Sequence, residues 1–384
     1  MKIFLSFLQG KPGHPIPAYG FWEYYIKQGL EEAGHQWQEC AGVDWAYGLV
    51  NQSKQSFSAW KTTAWEKTVD YCKKNPVDLF LSYLYPHQVD TAAIRAIREM
   101  GIPCVNFFCD NIRTFRRIPD EYAVFDLNWV PEYQALDLYN RRNIPCIHLP
   151  MPMWVAPEHR VAREERLPQV TFIGSRDIQR LLLFEEIAAL TSSLPLTVYG
   201  EGWLPAPGGS KLHSEKDPSY GAIARLQHQV EIIRSLGMSA YFRKLRQRNF
   251  NPFPSAQLTT FLKGKPGFDE YIGLTQESFV TIGINRYPSL RFPLDRPDKY
   301  SRLRDIEAPM LGACYLTESA EGLDEMYNIG SEIMVYKDAE DFIGQSKRLL
   351  ADPALRKTLR TNGQRRALET HSIAASLGSI KAKI

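Results

Sequence analysis

The residues best suited to chemistry crowd into one stretch, 300–318, which reads Tyr-Ser-Arg-Leu-Arg-Asp-Ile-Glu-Ala-Pro-Met-Leu-Gly-Ala-Cys-Tyr-Leu-Thr-Glu. Arg304 stands three positions before Glu307, in a basic, hydroxyl-bearing loop that leads into a short helical pattern ending at Gly312 and then into an apolar strand over 313–316. Cations brought to a helix N-terminus hold an anion such as a pyrophosphate, because guanidinium groups and first-turn amides both favour negative charge. A glutamate beside that anion can accept both hydroxyls of a ribose. Proline is tolerated only in the first turn of a helix, so Pro309 predicts a helix start near Ile306 with Glu307 at its mouth. Taken alone, Arg304 and Glu307 read more simply as a solvated surface ion pair.

Two further candidates stand at the ends of apolar runs. His14 lies in a glycine- and proline-rich loop, 9–20, that follows the first predicted strand. It could act as a general base or bind a substrate through hydrogen bonds, or simply be exposed. The loop is not G-x-G-x-x-G, so a dinucleotide site there is unsupported. Asp110 emerges at the end of the buried run 104–108. An acid at that point suits substrate binding or proton transfer, and equally the N-cap of a helix.

The elements that must position these residues follow from periodicity. In the first half, predicted strands over 2–8, 36–41, 77–84, 104–108, 127–130 and 146–149 alternate with helical patterns over 19–33, 58–75, 91–100 and 132–143. Strand then helix, repeated, means parallel strands joined by crossovers, with ligands gathering beyond the carboxyl ends of the strands. A proline-rich segment without a clean period, 148–168, marks the domain boundary. The alternation then restarts, with strands over 169–175, 196–200, 279–284, 313–316 and 331–336 and helices after Arg176, over 341–351 and over 354–370, where Asn362-Gly363 is a possible break. A helical stretch, 220–248, ends in the basic run Arg243-Lys-Leu-Arg-Gln-Arg248. That run reads as a solvated face, as a contact for an anionic acceptor, or as a peripheral contact with lipid head groups.

Bulk properties exclude several classes. A chain of 384 residues with 44% hydrophobic and 12% aromatic content is folded and long enough for two domains. A net charge of +3 gives no global electrostatic case for a nucleic-acid protein. The six cysteines lie in apolar runs without metal-ligand spacing, which reads as a reduced, cytoplasmic protein. Neither a secretory signal nor a spanning segment is expected, so the protein should be free in the cytoplasm or rest on the inner face of a membrane.

Thr171-Phe-Ile-Gly174, Arg180, Val198-Tyr-Gly-Glu-Gly-Trp203, Arg304, Glu307, Leu316-Thr-Glu318 and Gly330-Ser-Glu332 occur in one order. In this the second half resembles the glycosyl transferases group 1 superfamily, and most of all its spore-maturation-protein-like branch. The branch pattern R-x-F-E-A-x-A-x-G, followed by an apolar strand and Thr-Glu, stands here as Arg304-Asp-Ile-Glu-Ala-Pro-Met-Leu-Gly312. The resemblance covers roughly 169–200 and 279–375. It implies a GT-B fold, an α/β architecture of two Rossmann-like doubly wound domains facing each other across a cleft. The implied activity moves a sugar from a nucleotide-diphosphate sugar, most simply a UDP-sugar, to a glycan, lipid-linked, protein or small-molecule acceptor.

By the same resemblance, Glu307 would hold the ribose hydroxyls. Arg304, Arg180 and Arg176 would face the diphosphate, Gly174 would let the backbone approach it, and Tyr199 with Gly200 would lie near the base. No cofactor beyond the donor substrate is implied, and the absence of any D-x-D triplet fits metal-independent transfer. One position departs from the pattern: Lys299 stands eight residues before Glu307, where many relatives carry an acid that touches the donor sugar. The expected organisation is an acceptor-side domain over 1–155, a linker over 156–168, a donor-side domain over 169–370 with a helical basic insert over about 204–267, and a tail, 371–384, that packs back on the first domain. A nucleotide-sugar epimerase or phosphorylase on the same scaffold, or a non-catalytic binding protein derived from it, are the alternatives.

Overall fold

The computed structural model describes residues 1–7, 19–110, 117–204, 252–289, 293–294 and 296–384. His14, the helical stretch 220–248 and the basic run that ends it lie outside the described residues. The chain forms two compact units, 1–155 together with 368–384, and 156–367.

In the first unit, β1 (Lys2–Ser6), β2 (Gln36–Gln38), β3 (Leu79–Ser82), β4 (Cys104–Phe107), β5 (Leu127–Val130) and β6 (Cys146–His148) form one parallel sheet. Its order is β2-β1-β3-β4-β5-β6. Every residue of β3, β4 and β5 is buried, as expected of strands covered on both faces. The crossovers are α1 (Tyr19–Glu32), α2 (Lys54–Lys74), α3 (Thr91–Glu99) and α4 (Leu136–Asn140). Ser53 caps α2 through the Ser56 amide, and Asp90 caps α3 through the amides of Ala92 and Ala93. The predicted helix over 132–143 is shorter than expected: a 3₁₀ turn, Tyr133–Ala135, leads into the five residues of α4, and neither start has a capping side chain. The last helix, α12 (Ile373–Lys381), belongs to this unit and meets α1, where Gly29 makes room for it. A Cβ at Gly29 would stand 2.3 Å from Ile373 Cδ1.

In the second unit, β7 (Leu167–Ile173), β8 (Leu196–Tyr199), β9 (Ser278–Gly283), β10 (Tyr315–Glu318) and β11 (Met334–Tyr336) form a parallel sheet ordered β11-β10-β9-β7-β8. Around it lie α5 (Ile178–Leu190), α6 (Ala256–Thr259), α7 (Phe268–Glu277), α8 (Arg304–Met310), α9 (Leu323–Met326), α10 (Ala339–Ala351) and α11 (Pro353–Thr370). Part of the expected insert belongs to the domain itself. Leu258 and Leu262 enter its core, and the segment around them runs along β8, with Val198 N–H donating to Phe261 O at 2.9 Å and Lys263 N–H to Val198 O at 2.8 Å.

Two local expectations are corrected. α11 runs unbroken through Asn362-Gly363; the glycine is there because a Cβ would stand 2.4 Å from Glu332 O, so close packing and not a turn demands it. α8 begins at Arg304, two residues before the predicted start, which puts Pro309 in its second turn. Proline has no N–H for the carbonyl four residues back. That carbonyl, Asp305 O, instead accepts the Tyr327 hydroxyl at 2.8 Å.

Each sheet reverses strand order at one point, between β1 and β3 in the first unit and between β7 and β9 in the second. Open α/β sheets bind ligands in the crevice beyond the carboxyl ends at such a point. Among the described residues no helix is long and apolar enough to cross a membrane.

Candidate functional site

In the second unit, the carboxyl ends of β7 and β9 flank the reversal, and the first turn of α8 carries Arg304, Asp305 and Glu307. α8 is held by a buried carboxylate. Asp305 is 0% exposed, and its Oδ1 accepts the hydroxyls of Tyr315 at 2.8 Å and Thr317 at 2.7 Å, both from β10, while Oδ2 accepts the Arg302 amide at 3.0 Å. Burial pushes the Asp305 pKa up, and these donors pull against that. With Asp305 turned into the core, Arg304 and Glu307 are left half-buried on the other side of the helix.

Arg304 and Glu307 are joined through a third side chain. Tyr271 on α7 stands with both: its hydroxyl donates to Glu307 Oε2 at 2.5 Å and accepts from Arg304 Nη1 at 2.8 Å, and the guanidinium lies 4.9 Å from the ring centroid. The amides of Asp305, Ile306 and Glu307 in the first turn of α8 are bonded to the carbonyls of Arg302 and Leu303. Of the two sources of positive charge that the sequence suggested, guanidinium groups and helix amides, the guanidinium group of Arg304 stands at this end of α8.

Arg180, at the start of α5, joins them. Its Nη1 donates to Ser175 O at 2.6 Å, and Asp177 Oδ2 lies 3.2 Å from its Nε without hydrogen-bond alignment. Burial lowers the Arg180 pKa to about 10; Asp177 opposes that, while the charges of Arg302 and Arg304 lower it further. The guanidinium groups of Arg302 and Arg304 thus both act on that of Arg180, and the three stand among the carboxylates of Asp177, Asp305 and Glu307, where an anion would relieve the repulsion that Arg180 feels. Arg302 was not singled out in the sequence; Arg176 was, and its Nη2 reaches the Pro252 carbonyl at 2.5 Å.

Gly174 and Gly200 have a structural reason of their own. Gly200 adopts φ +144°, and a Cβ there would stand 2.0 Å from Gly174 O, so only glycine lets the ends of β7 and β8 meet. Gly174 N–H donates to Tyr199 O at 2.9 Å and Gly174 O accepts Trp203 Nε1 at 2.7 Å, fixing both ends beside Arg180. Lys299 points to Glu318: Nζ lies 2.9 Å from Oε1 of a carboxylate that is 0% exposed. Arg286, beyond β9, clamps the same carboxylate through Nε at 3.1 Å and Nη2 at 2.6 Å. Burial would raise the Glu318 pKa, but the bonds and charge of Arg286 and the charge of Lys299 bring it below the ordinary value. Among the described residues no group of three or more His, Cys, Asp or Glu could hold a metal ion.

In the first unit, Asp110 ends the run that begins with β4, and the loop after β3 meets it. The hydroxyls of Tyr83, at 3.3 Å, and of Tyr85 both donate to its Oδ2. Asn106 on β4 holds that loop in turn, accepting the Leu84 amide at 3.1 Å and the Ser82 hydroxyl at 2.8 Å. Asp110 is exposed as a residue, yet desolvation of its carboxyl group pushes the pKa up, with the Tyr83 hydrogen bond opposing. Neither tyrosine was a sequence candidate, because a contact between two strand ends leaves no mark in local spacing.

Residues 260–382 match the model of a family described as glycosyl transferase-like. No curated protein sequence matches the chain. Among solved structures, sucrose-phosphate synthase from Thermosynechococcus elongatus aligns with 100% of this chain and 98% of its own at 14% identity and a TM-score of 0.54. HepE from Anabaena in complex with UDP aligns with 100% of this chain and 99% of its own at 12% identity and a TM-score of 0.56. The HepE complex with UDP-glucose covers 100% of both chains at 11% identity and a TM-score of 0.55. The fold is therefore GT-B, two parallel-sheet α/β domains in one chain.

Proposed function

We propose that the chain is a glycosyltransferase that takes a sugar from a nucleotide-diphosphate sugar bound by the unit 156–367 and passes it to an acceptor bound by the N-terminal unit. The observation that carries this is the cluster of Arg180, Arg302 and Arg304 beside the Tyr271–Glu307 hydrogen bond. A diphosphate answers the three cations, and a ribose one bond away answers the carboxylate. The glycosyl transferase-like match over residues 260–382 includes Tyr271, Arg302, Arg304 and Glu307. UDP and UDP-glucose in HepE, a protein of the same fold, support a uridine nucleotide here.

In this scheme the bond from the sugar's anomeric carbon to the diphosphate oxygen breaks and a bond to an acceptor hydroxyl oxygen forms. The guanidinium groups stabilise the charge that grows on the departing diphosphate, a role that needs no metal ion. Asp110 takes the proton of the acceptor hydroxyl, for which a carboxylate with a raised pKa is better matched than an ordinary one. Glu307 holds the ribose. Tyr199 lies toward the base, and Lys299, fixed by Glu318, faces the donor sugar.

The test is release of nucleoside diphosphate from UDP-, GDP-, dTDP- and ADP-sugars, with and without candidate acceptors. Release from a UDP-sugar that an acceptor accelerates is expected. An isomerised donor or free sugar phosphate would favour an epimerase or phosphorylase, and the absence of both release and nucleotide binding would overturn the proposal.

A further inference from the structure

A line of aromatic rings runs along the carboxyl end of the N-terminal sheet. Tyr47 lies on the 3₁₀ turn Ala46–Leu49, Phe57 and Trp60 on the first turns of α2, and Tyr85 and His87 on the loop after β3. Each ring meets the next: Tyr47 and Trp60 have centroids 6.3 Å apart, Trp60 and Phe57 5.5 Å, Phe57 and His87 5.4 Å, and His87 and Tyr85 6.0 Å. Tyr85 then donates its hydroxyl to Asp110. Tyr47 and His87 are exposed and the other three are partly so. Folding rarely leaves five adjoining rings at the surface without a use for them.

The line is rigid. Trp60 Nε1 donates to Asp44 O at 3.2 Å, and His87 Nε2 lies 3.3 Å from Gly48 O. Gly48 packs so closely on Trp60 that a Cβ would stand 2.3 Å from Cη2 of the ring. Lys61 Nζ donates to the His87 carbonyl at 3.0 Å, which puts a cation beside the rings. Five aromatic rings joined by polar groups suit a ligand that is apolar on its faces and hydroxylated at its rim. A sugar ring has that double character, stacking its C–H face on an aromatic ring while its hydroxyls stay hydrogen-bonded.

We propose that this line is an acceptor subsite for an extended oligosaccharide, several sugars long, whose terminal hydroxyl is delivered to Asp110. The inference rests on the glycosyltransferase function above and names its acceptor class. Stacking tolerates differences in sugar identity, so unrelated linear glycans report on the site.

The experiment is equilibrium binding of malto-, chito- and laminari-oligosaccharides of one to six units to the full-length protein, followed by tryptophan fluorescence, with Tyr47→Ala and Phe57→Ala as variants. Affinity should rise by about two- to tenfold for each ring engaged, and each variant should remove the gain of the longer chains while leaving the shortest unchanged. Binding that does not depend on length, binding unaffected in both folded variants, or no binding to any of the three series would overturn the inference. Preference for alkyl glycosides over longer glycans would assign the line to a lipid tail and overturn it equally. UDP affinity measured on the same samples reports separately on the donor site.

Discussion

Tyr271 is the side chain through which Arg304 and Glu307 act together, since one hydroxyl accepts from the first and donates to the second. Tyr271→Phe keeps the ring under the guanidinium and removes only the hydroxyl. UDP affinity, read by calorimetry, should fall by about 0.5–1.5 kcal/mol, the net value of an ordinary hydrogen bond, with little change in melting temperature. Unchanged affinity would mean that the hydroxyl positions nothing. Glu318 makes a pH prediction. Its folded pKa lies below the ordinary 4.5, so the stability it contributes is fully present above that value and is lost as pH falls through the lowered pKa. Glu318→Gln, which leaves Arg286 and Lys299 facing a neutral group, should cost about 3–5 kcal/mol at neutral pH. Urea denaturation from pH 7 to 3 should show the two proteins converging on the acid side; a constant difference would refute the linkage.

At the scale of elements, α8 and α11 show glycine and proline serving contacts and not breaks. An exposed mid-helix glycine gains about 1 kcal/mol on replacement by alanine. Gly363→Ala should do the reverse, because its Cβ would stand 2.4 Å from Glu332 O; a loss of about 1–3 kcal/mol is expected. A melting temperature equal to or above that of the parent protein would show that α11 has room there. What the sequence disclosed about α8 was its charge and its place before a strand, since both follow from local spacing. It did not disclose which face is buried. Asp305, Arg304 and Glu307 look alike as charged residues, and only the hydroxyls of Tyr315, Thr317 and Tyr327, ten to twenty-two positions away, turn the helix the right way.

At the scale of the molecule, alternating strands and helices with a proline-rich interruption were enough to expect two doubly wound domains, because parallel sheets impose that order on a chain. Strand order was not legible, and with it the points of reversal, since pairing joins residues far apart in sequence. For the same reason the tyrosines around Asp110, and the convergence of Arg286 and Lys299 on Glu318, had no sequence signal. α12 places Ile373, Leu377 and Ile380, each at most 2% exposed, in the core of the first unit. Full burial of such a side chain is worth about 1.5–3 kcal/mol, so deleting 372–384 should lower the melting temperature of that unit and leave UDP binding by the second unit intact. Loss of UDP binding on deletion would show that the donor unit depends on the tail. The central claim, that the second unit holds a nucleoside diphosphate at α8, is met most directly by calorimetric titration of UDP into the parent protein and Glu307→Ala. The parent should bind, and the folded variant should bind more weakly by about 1.5–3 kcal/mol, the value of hydrogen bonds to a charged acceptor. Equal affinity in the two would place the nucleotide elsewhere.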